Sequence, residues 1–275
     1  MQIKILGTGA AEGFPGLFCE CPICSRARKA GGKNIRSRAC VKIDEDILID
    51  LPPDILQQSH RAGFSLASIQ HLLITHGHRD HFTPSELHWR DEPFAHWDQQ
   101  PPLHIYGNTY VGELLRDSFN DELTDHNIHF HTIRPFVPFT FGTDSVTPIE
   151  ANHLPEHGAL NYILTRQNRN LLLAFDTGWY GDRSWSALDG WELDLVLMEC
   201  TNGLHHDPAS EHLSVEAVKN MRAELLKRGC LRDDTRFITL HFSHNGGLLH
   251  EDLEERFLNT GIEVGYDGLM LESSD

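Results

Sequence analysis

His71-Leu72-Leu73-Ile74-Thr75-His76-Gly77-His78-Arg79-Asp80-His81 opens as a short apolar run and closes on six residues that hold three imidazoles and one carboxylate. The apolar part predicts a buried strand, and the polar part a turn at its end. His76 and His78 stand two apart in an extended segment and so project to one side, while Asp80 and His81 can turn toward a second position. This spacing predicts two neighbouring metal ions rather than one. Imidazole and carboxylate suit zinc, iron or manganese better than calcium, which prefers oxygen ligands throughout.

Working outward, strands and helices alternate along the chain. Gln2 to Leu6, the two halves of Val41 to Asp50 around Asp44-Glu45-Asp46, and Gln70 to Thr75 have strand patterns. Leu103 to Tyr106, His129 to Ile133, Ser145 to Ala151, Asn161 to Thr165, Leu171 to Phe175, Asp194 to Met198 and Phe237 to Leu240 do as well, with Gln167-Asn168-Arg169-Asn170 as a hairpin turn and another hairpin around Asp267-Gly268. Helices are expected from Pro84 with Thr83 as N-cap, over Val111 to Phe119, over Ser214 to Lys227, and near Leu248 to Phe257. Two runs of mainly antiparallel strands interleaved with helices predict two sheets packed face to face, with helices outside.

The chain has 275 residues with 40% hydrophobic content, enough for a sizeable core, and no composition shift marks a boundary. One domain over residues 1–275 is the expectation. No apolar stretch of membrane-spanning length and no export signal is seen, which predicts a cytoplasmic protein without a membrane partner. The formal charge of -17 repels polyanions at long range, so a large nucleic acid is disfavoured as partner. A homodimer is compatible with the sequence but not read from it.

Further ligand-type residues fall where strands end. His153 follows Ser145 to Ala151, Asp176 follows Leu171 to Phe175, and His241 ends Phe237 to Leu240. If those strands share an edge, separate loops converge on one cleft held by a rigid scaffold. Three of the six cysteines, Cys19, Cys21 and Cys24, lie within six residues. Such spacing suits tetrahedral zinc, with a fourth ligand from elsewhere, better than a disulfide framework. Cys40, Cys200 and Cys230 lack that spacing and are expected in the core.

The segment Thr75 to His81 resembles the HxHxDH signature of the metallo-β-lactamase superfamily. That resemblance implies an αββα sandwich, two mixed sheets flanked by helices, and two metals that activate a shared water. Within the superfamily the chain is most similar to the phosphodiesterases of the carbon–phosphorus lyase pathway, which hydrolyse cyclic phosphates of ribose. The similarity runs nearly end to end, through Gly7-Thr8-Gly9-Ala10-Ala11 with Gly13 and Pro15, Cys19-Glu20-Cys21-Pro22-Ile23-Cys24, Asn152-His153, Asp176-Thr177, His241-Phe242-Ser243-His244 and Val264-Gly265-Tyr266-Asp267-Gly268-Leu269.

Carried over residue by residue, the resemblance implies His76, His78 and His153 on one ion, Asp80, His81 and His241 on the other, and Asp176 as a bridge. Asp80 also belongs to the implied catalytic set. His212, just before the Ser214 helix, matches the family's additional active-site histidine and is assigned as proton donor to the leaving group. His244, three residues after His241, completes the cysteine group in the family pattern. The implied cofactors are two divalent ions, zinc or manganese, and one structural zinc. The expected substrate is a small phosphate ester, a cyclic or diester phosphate such as a ribose 1,2-cyclic phosphate or a 2′,3′-cyclic nucleotide. Alternatives that share the ligands are a transfer RNA 3′-processing nuclease, a lactonase or thioesterase, and a non-catalytic carrier similar to the quinone-cofactor biosynthesis member.

The remaining polar clusters have plainer expectations. His205-His206-Asp207 reads as a surface loop, and His126, His129 and His131 as a solvated strand face. Asp91 to Gln100, near Trp89 and Trp97, is either a substrate-covering loop or a helix extension. Arg79 is placed by position as a phosphate partner, although an arginine there is exposed by default. The chain is somewhat longer than the phosphodiesterase pattern, with extra residues in its middle and around His205.

Overall fold

A computed structural model describes residues 1–272. The strands are β1 (Gln2–Gly7), β2 (Cys40–Ile43), β3 (Ile47–Ile49), β4 (His71–Leu73), β5 (Leu103–Gly107), β6 (Ile128–Thr132), β7 (Phe139–Phe141), β8 (Asp144–Glu150), β9 (Leu160–Arg166), β10 (Arg169–Ala174), β11 (Leu193–Glu199), β12 (Leu231–Leu240), β13 (Glu263–Val264) and β14 (Met270–Glu272). The α-helices are α1 (Pro22–Ala30), α2 (Ile55–Ala62), α3 (Thr109–Ser118), α4 (Asp182–Leu188), α5 (Val215–Lys227) and α6 (His250–Phe257). The strands form two seven-stranded sheets, in the orders β14-β1-β2-β3-β4-β5-β6 and β13-β12-β11-β10-β9-β8-β7.

Period-two alternation explains how the sheets face each other. Cross-strand pairs Ile5↔Val41, Val41↔Ile49, Ile49↔Leu73 and Leu73↔Tyr106 run a row of apolar side chains across the first sheet. That row packs with Tyr162, Leu164, Leu171, Leu173, Leu195 and Leu197 of the second sheet in one buried cluster. The outer face of the first sheet is covered by α2 and α3 through Ile55, Val111 and Leu115. Helices α4, α5 and α6 cover the other sheet through Trp185, Val218, Met221 and Leu253. Two mixed sheets flanked by helices are thus observed as expected. No helix among the described residues is long and apolar enough to cross a membrane.

Three local expectations need correction. The sheets are not mainly antiparallel: β3 to β6 are parallel, as are β10 to β13, because helical crossovers separate those strands. There is no hairpin at Asp267-Gly268, because β13 pairs with β12 in the second sheet and β14 with β1 in the first. The Pro84–Arg90 segment is a 3₁₀ helix whose Thr83 makes no side-chain cap. The β9–β10 hairpin does form, on the two residues Gln167 and Asn168, both with positive φ, as a two-residue turn of the right hand requires.

A second row on the same face of the first sheet, Ile3-Ile43-Ile47, continues through His71, His104 and His129. The change from isoleucine to histidine falls where the covering sheet ends at its edge strand β7. His129 and His131 are exposed on β6 as expected, but His126 lies in the turn before it and pairs with Asp91 at 2.6 Å. His71 stacks on Phe141 with 4.1 Å between ring centroids and meets the Tyr106 hydroxyl at 3.2 Å. Burial, helped by His104, pushes its pKa down to about 4.

The folded state therefore keeps His71 neutral, whereas the unfolded chain binds a proton near the ordinary value of about 6.5. Its stabilising contribution is full above that value and lost as pH falls toward 4. Denaturant unfolding at pH 7.5 and pH 5 should show His71→Leu losing about 1 kcal/mol less between the two conditions than the wild type, discounting for the partly exposed ring. Equal losses would contradict this assignment.

Candidate metal centre

Strand ends deliver the site. The carboxyl ends of β3, β4, β10, β11 and β12 lead to Asp50, His76 to His81, Asp176, Glu199 and His241, and β8 leads to His153. Asp50, Asp176 and His241 have φ of 64°, 34° and 58°, a region that L side chains rarely adopt and that costs about 1–3 kcal/mol each. Such backbone stops the strand and redirects the side chain. The two sheets are clamped at this rim, where the Leu160 amide donates to the Thr75 carbonyl at 2.9 Å and the Tyr162 hydroxyl donates to the Ile74 carbonyl.

Two ligand-type groups result. In the first, His76 Nε2 lies 2.9 Å from His78 Nδ1, His78 Nδ1 lies 3.3 Å from His153 Nε2, and Asp176 Oδ2 is 3.6 Å from both Nε2 atoms. In the second, His81 Nε2 lies 3.2 Å from Asp80 Oδ2, 3.2 Å from His241 Nε2 and 3.4 Å from Asp176 Oδ1. A tetrahedral ion with nitrogen and oxygen ligands at about 2.0–2.1 Å sets those atoms about 3.3 Å apart. The sequence-derived residues His76, His78, Asp80, His81, His153, Asp176 and His241 are therefore all brought together, and Asp176 offers one oxygen to each group.

Asp176 Oδ1 supplies a further test of fit. It is buried and accepts no hydrogen bond, although His241 Nε2 is only 2.9 Å away in an orientation unsuited to one. An orphaned carboxylate oxygen among ring nitrogens matches a cation better than a proton. Electrostatics agree. Burial opposes the charge on Asp176 and Asp80, yet His81 and His241 beside them hold both carboxyls well below the usual range. The same pairing, mainly with Asp176, overcomes burial and raises His241 to about 10 and His81 well above the ordinary value. Burial leaves His76, His78 and His153 neutral, which is the form that binds metal.

Three of the ring nitrogens that face away are also held. Thr75 Oγ1 lies 3.0 Å from His76 Nδ1, Asp50 Oδ2 2.7 Å from His81 Nδ1, and Thr201 Oγ1 2.8 Å from His241 Nδ1. These contacts set ring orientation and tautomer. Asp50 itself is anchored by the Thr75 amide at 2.7 Å, and burial pushes its pKa up. His212 stands beside the cluster, its ring 4.8 Å from that of His153, with Nδ1 2.7 Å from Glu199 Oε1. Burial lowers the His212 pKa, but the Glu199 carboxylate outweighs it and the net shift is upward. Glu199 is fully buried and accepts backbone N–H bonds from Thr177, Thr201 and Leu213.

Sequence reasoning missed Asp50, Glu199 and Thr201. Both acids directly follow apolar strands, which is the signal that pointed to Asp176, but neither lies in a histidine-rich motif. The adjoining cleft of about 310 Å³ is lined by Ala10, Glu12, Asn202, Ser243 and Asn245 as well as the cluster. Neither Arg79 nor the loops at Asp91 to Gln100 and His205 to Asp207 line it. Arg79 is exposed on a neighbouring groove with Arg38 and Pro84.

The cysteine group closes next to this cleft. His244 Nδ1 lies 3.6 Å from Cys19 Sγ and 3.6 Å from Cys21 Sγ. Zinc with sulfur at about 2.3 Å and nitrogen at about 2.0–2.1 Å in tetrahedral geometry predicts about 3.6 Å. Cys24 Sγ accepts from the Gly16 amide at 3.2 Å and completes a set within reach of one ion. Cys21 is the N-cap of α1, and the Cys24 amide together with His244 lowers its pKa to about 6. Cys40, Cys200 and Cys230 are buried, as expected.

A model of the beta-lactamase superfamily domain matches residues 45–228. An octanoyltransferase of Porphyromonas gingivalis is 26% identical over 98% of this chain and 51% of its own, so the chain spans about half of that relative. Coenzyme PQQ synthesis protein B of Azoarcus is 25% identical over 98% of this chain and 99% of its own. Among solved structures, a diphosphatase from the PhnP family has a TM-score of 0.74 at 22% identity, over 99% of this chain and 98% of that one. The short form of human tRNase Z has a TM-score of 0.68 at 19% identity over 99% of both chains. At these identities the structures share the fold.

Zinc content of purified protein should fall by about one ion per chain in Cys21→Ser. Unchanged zinc would reject the cysteine group as a metal site.

Proposed function

Because the chain belongs to the metallo-β-lactamase superfamily, we propose that it is a dinuclear metal-dependent phosphodiesterase acting on a small cyclic or diester phosphate. The observation that carries this choice is the His212–Glu199 pair, 2.7 Å apart beside two ligand groups that share Asp176. An alkoxide leaves a phosphoryl centre as a strong base and needs a proton, whereas a thiolate does not.

His76, His78 and His153 would hold one ion, Asp80, His81 and His241 the other, with Asp176 between them. Two bound divalent ions, zinc or manganese, supply Lewis-acid polarisation of a phosphoryl oxygen and activation of a water nucleophile near neutral pH. The Glu199 carboxylate favours the protonated form of His212 and holds its Nδ1–H, so in that form the Nε2 proton is the one available to the departing oxygen. Glu199 can carry its buried charge because three backbone amides donate to it. The cleft of about 310 Å³ suits a small substrate, and the charge of -17 disfavours a large polyanion.

Metal-loaded protein tested on a ribose cyclic phosphate, bis(p-nitrophenyl) phosphate, a lactone and a glutathione thioester should turn over the phosphates. His212→Ala should retain its metal and lose about 10²–10⁴ in turnover on the ribose ester, and less on the nitrophenyl ester, whose leaving group needs little protonation. Activity confined to the thioester or lactone overturns the assignment, and equal turnover in His212→Ala rejects the donor.

A further inference from the structure

One apolar cavity has no part in that chemistry. It measures about 450 Å³ and lies on the outer face of the first sheet, floored by Leu48, Leu72 and Leu103 and walled by Ile55 of α2, Leu66 and Trp97. Its size falls within the roughly 300–1,000 Å³ of small-molecule sites and is about three times a cavity that admits benzene. Asp91 to Gln100 folds over it. Trp97 Nε1 donates to the Arg90 carbonyl at 2.8 Å and Gln100 Nε2 to the same oxygen at 3.0 Å, which ties the loop back on itself. Trp89, 55% exposed, and Phe94, 64% exposed, pack edge to face with centroids 4.9 Å apart, an apolar surface left to solvent.

Arg90 is the cation that lines this apolar space. One Nη donates to the Pro101 carbonyl at 2.9 Å, the Trp97 ring lies 5.8 Å from the guanidinium carbon, and Nε is buried without a hydrogen-bond partner. It forms no ion pair among the described residues, because the neighbouring Asp91 carboxylate is taken by His126 at 2.6 Å. Of the other polar residues of the lining, Ser59 donates to the Leu56 carbonyl, Ser65 accepts from the Ala67 amide and Glu86 accepts from Trp89 Nε1, while His60 is exposed to solvent. An arginine without an ion pair on the wall of an apolar cavity calls for an anion on an apolar body.

We infer that this cavity binds an aliphatic monocarboxylate of roughly ten to twelve carbons, its chain on Leu48, Leu72, Ile55 and Leu66 and its carboxylate on Arg90. The site is separate from the candidate metal centre and does not depend on the activity there.

Trp89 and Trp97 report occupancy through their fluorescence. Titration of the full chain with decanoate and dodecanoate below their aggregation concentrations should give saturable one-to-one changes, tightening about fourfold per added methylene. Dodecyltrimethylammonium should not bind. Arg90→Gln should weaken dodecanoate by about tenfold or more and leave dodecanol unaffected. If Arg90→Gln does not fold, Arg90→Lys keeps the charge and should still prefer dodecanoate to the ammonium. No saturable change with dodecanoate, equal binding of the ammonium, or wild-type dodecanoate affinity in Arg90→Gln would each overturn the proposal.

Discussion

The carboxylate of Asp176 sits at 3% exposure between two sets of ring nitrogens, with one oxygen aimed at each and one of them accepting no hydrogen bond. A buried charge is costly unless it is paired, and nearly everything around Asp176 compensates it. His241 and His81 lean toward its Oδ1, His76 and His153 toward its Oδ2. The proposed pair of cations is the simplest partner for such a group, because protons alone leave oxygen and nitrogen atoms facing one another without hydrogen-bond geometry.

The fold exists around this point as a device for bringing distant strand ends together. His76 to His81 come from the first sheet, Asp176 and His241 from parallel strands of the second, and His153 from the antiparallel part of it. Left-handed backbone at Asp50, Asp176 and His241 is affordable only because the strands that precede them are buried on both sides. The cysteine group serves the same rim from outside. His244 belongs to it while His241, three residues earlier, belongs to the cluster, and the Ala10 amide bonds the Phe242 carbonyl between them at 3.0 Å. The N-terminal loop is thereby fastened against the cleft wall.

Much of this was legible in the chain because metal ligands must be a few residue types at strand ends. The motif from His76 to His81 announces itself by density, and Asp176 and His241 by following apolar runs. Sheet orientation was less legible: short apolar strands such as Ile47–Ile49 look alike in parallel and antiparallel company, so the proportion of parallel pairing was misjudged. The Asp267-Gly268 turn resembles a hairpin locally, and only long-range pairing sends its two sides to different sheets. Asp50 and Glu199 follow apolar runs as Asp176 does, but their importance lies in a ring nitrogen and backbone amides from elsewhere in the chain, which the local sequence does not show. His71, at the head of the run His71 to Ile74, carries no local sign that it continues a row of isoleucines where the covering sheet stops.

Anomalous diffraction at the zinc edge from crystals of zinc-loaded protein tests the central claim most directly. Two peaks about 3.5–4 Å apart, one on each side of the Asp176 carboxylate, are predicted, with a third among Cys19, Cys21, Cys24 and His244. A single peak in the histidine cluster, or a pair that Asp176 does not bridge, would contradict the account.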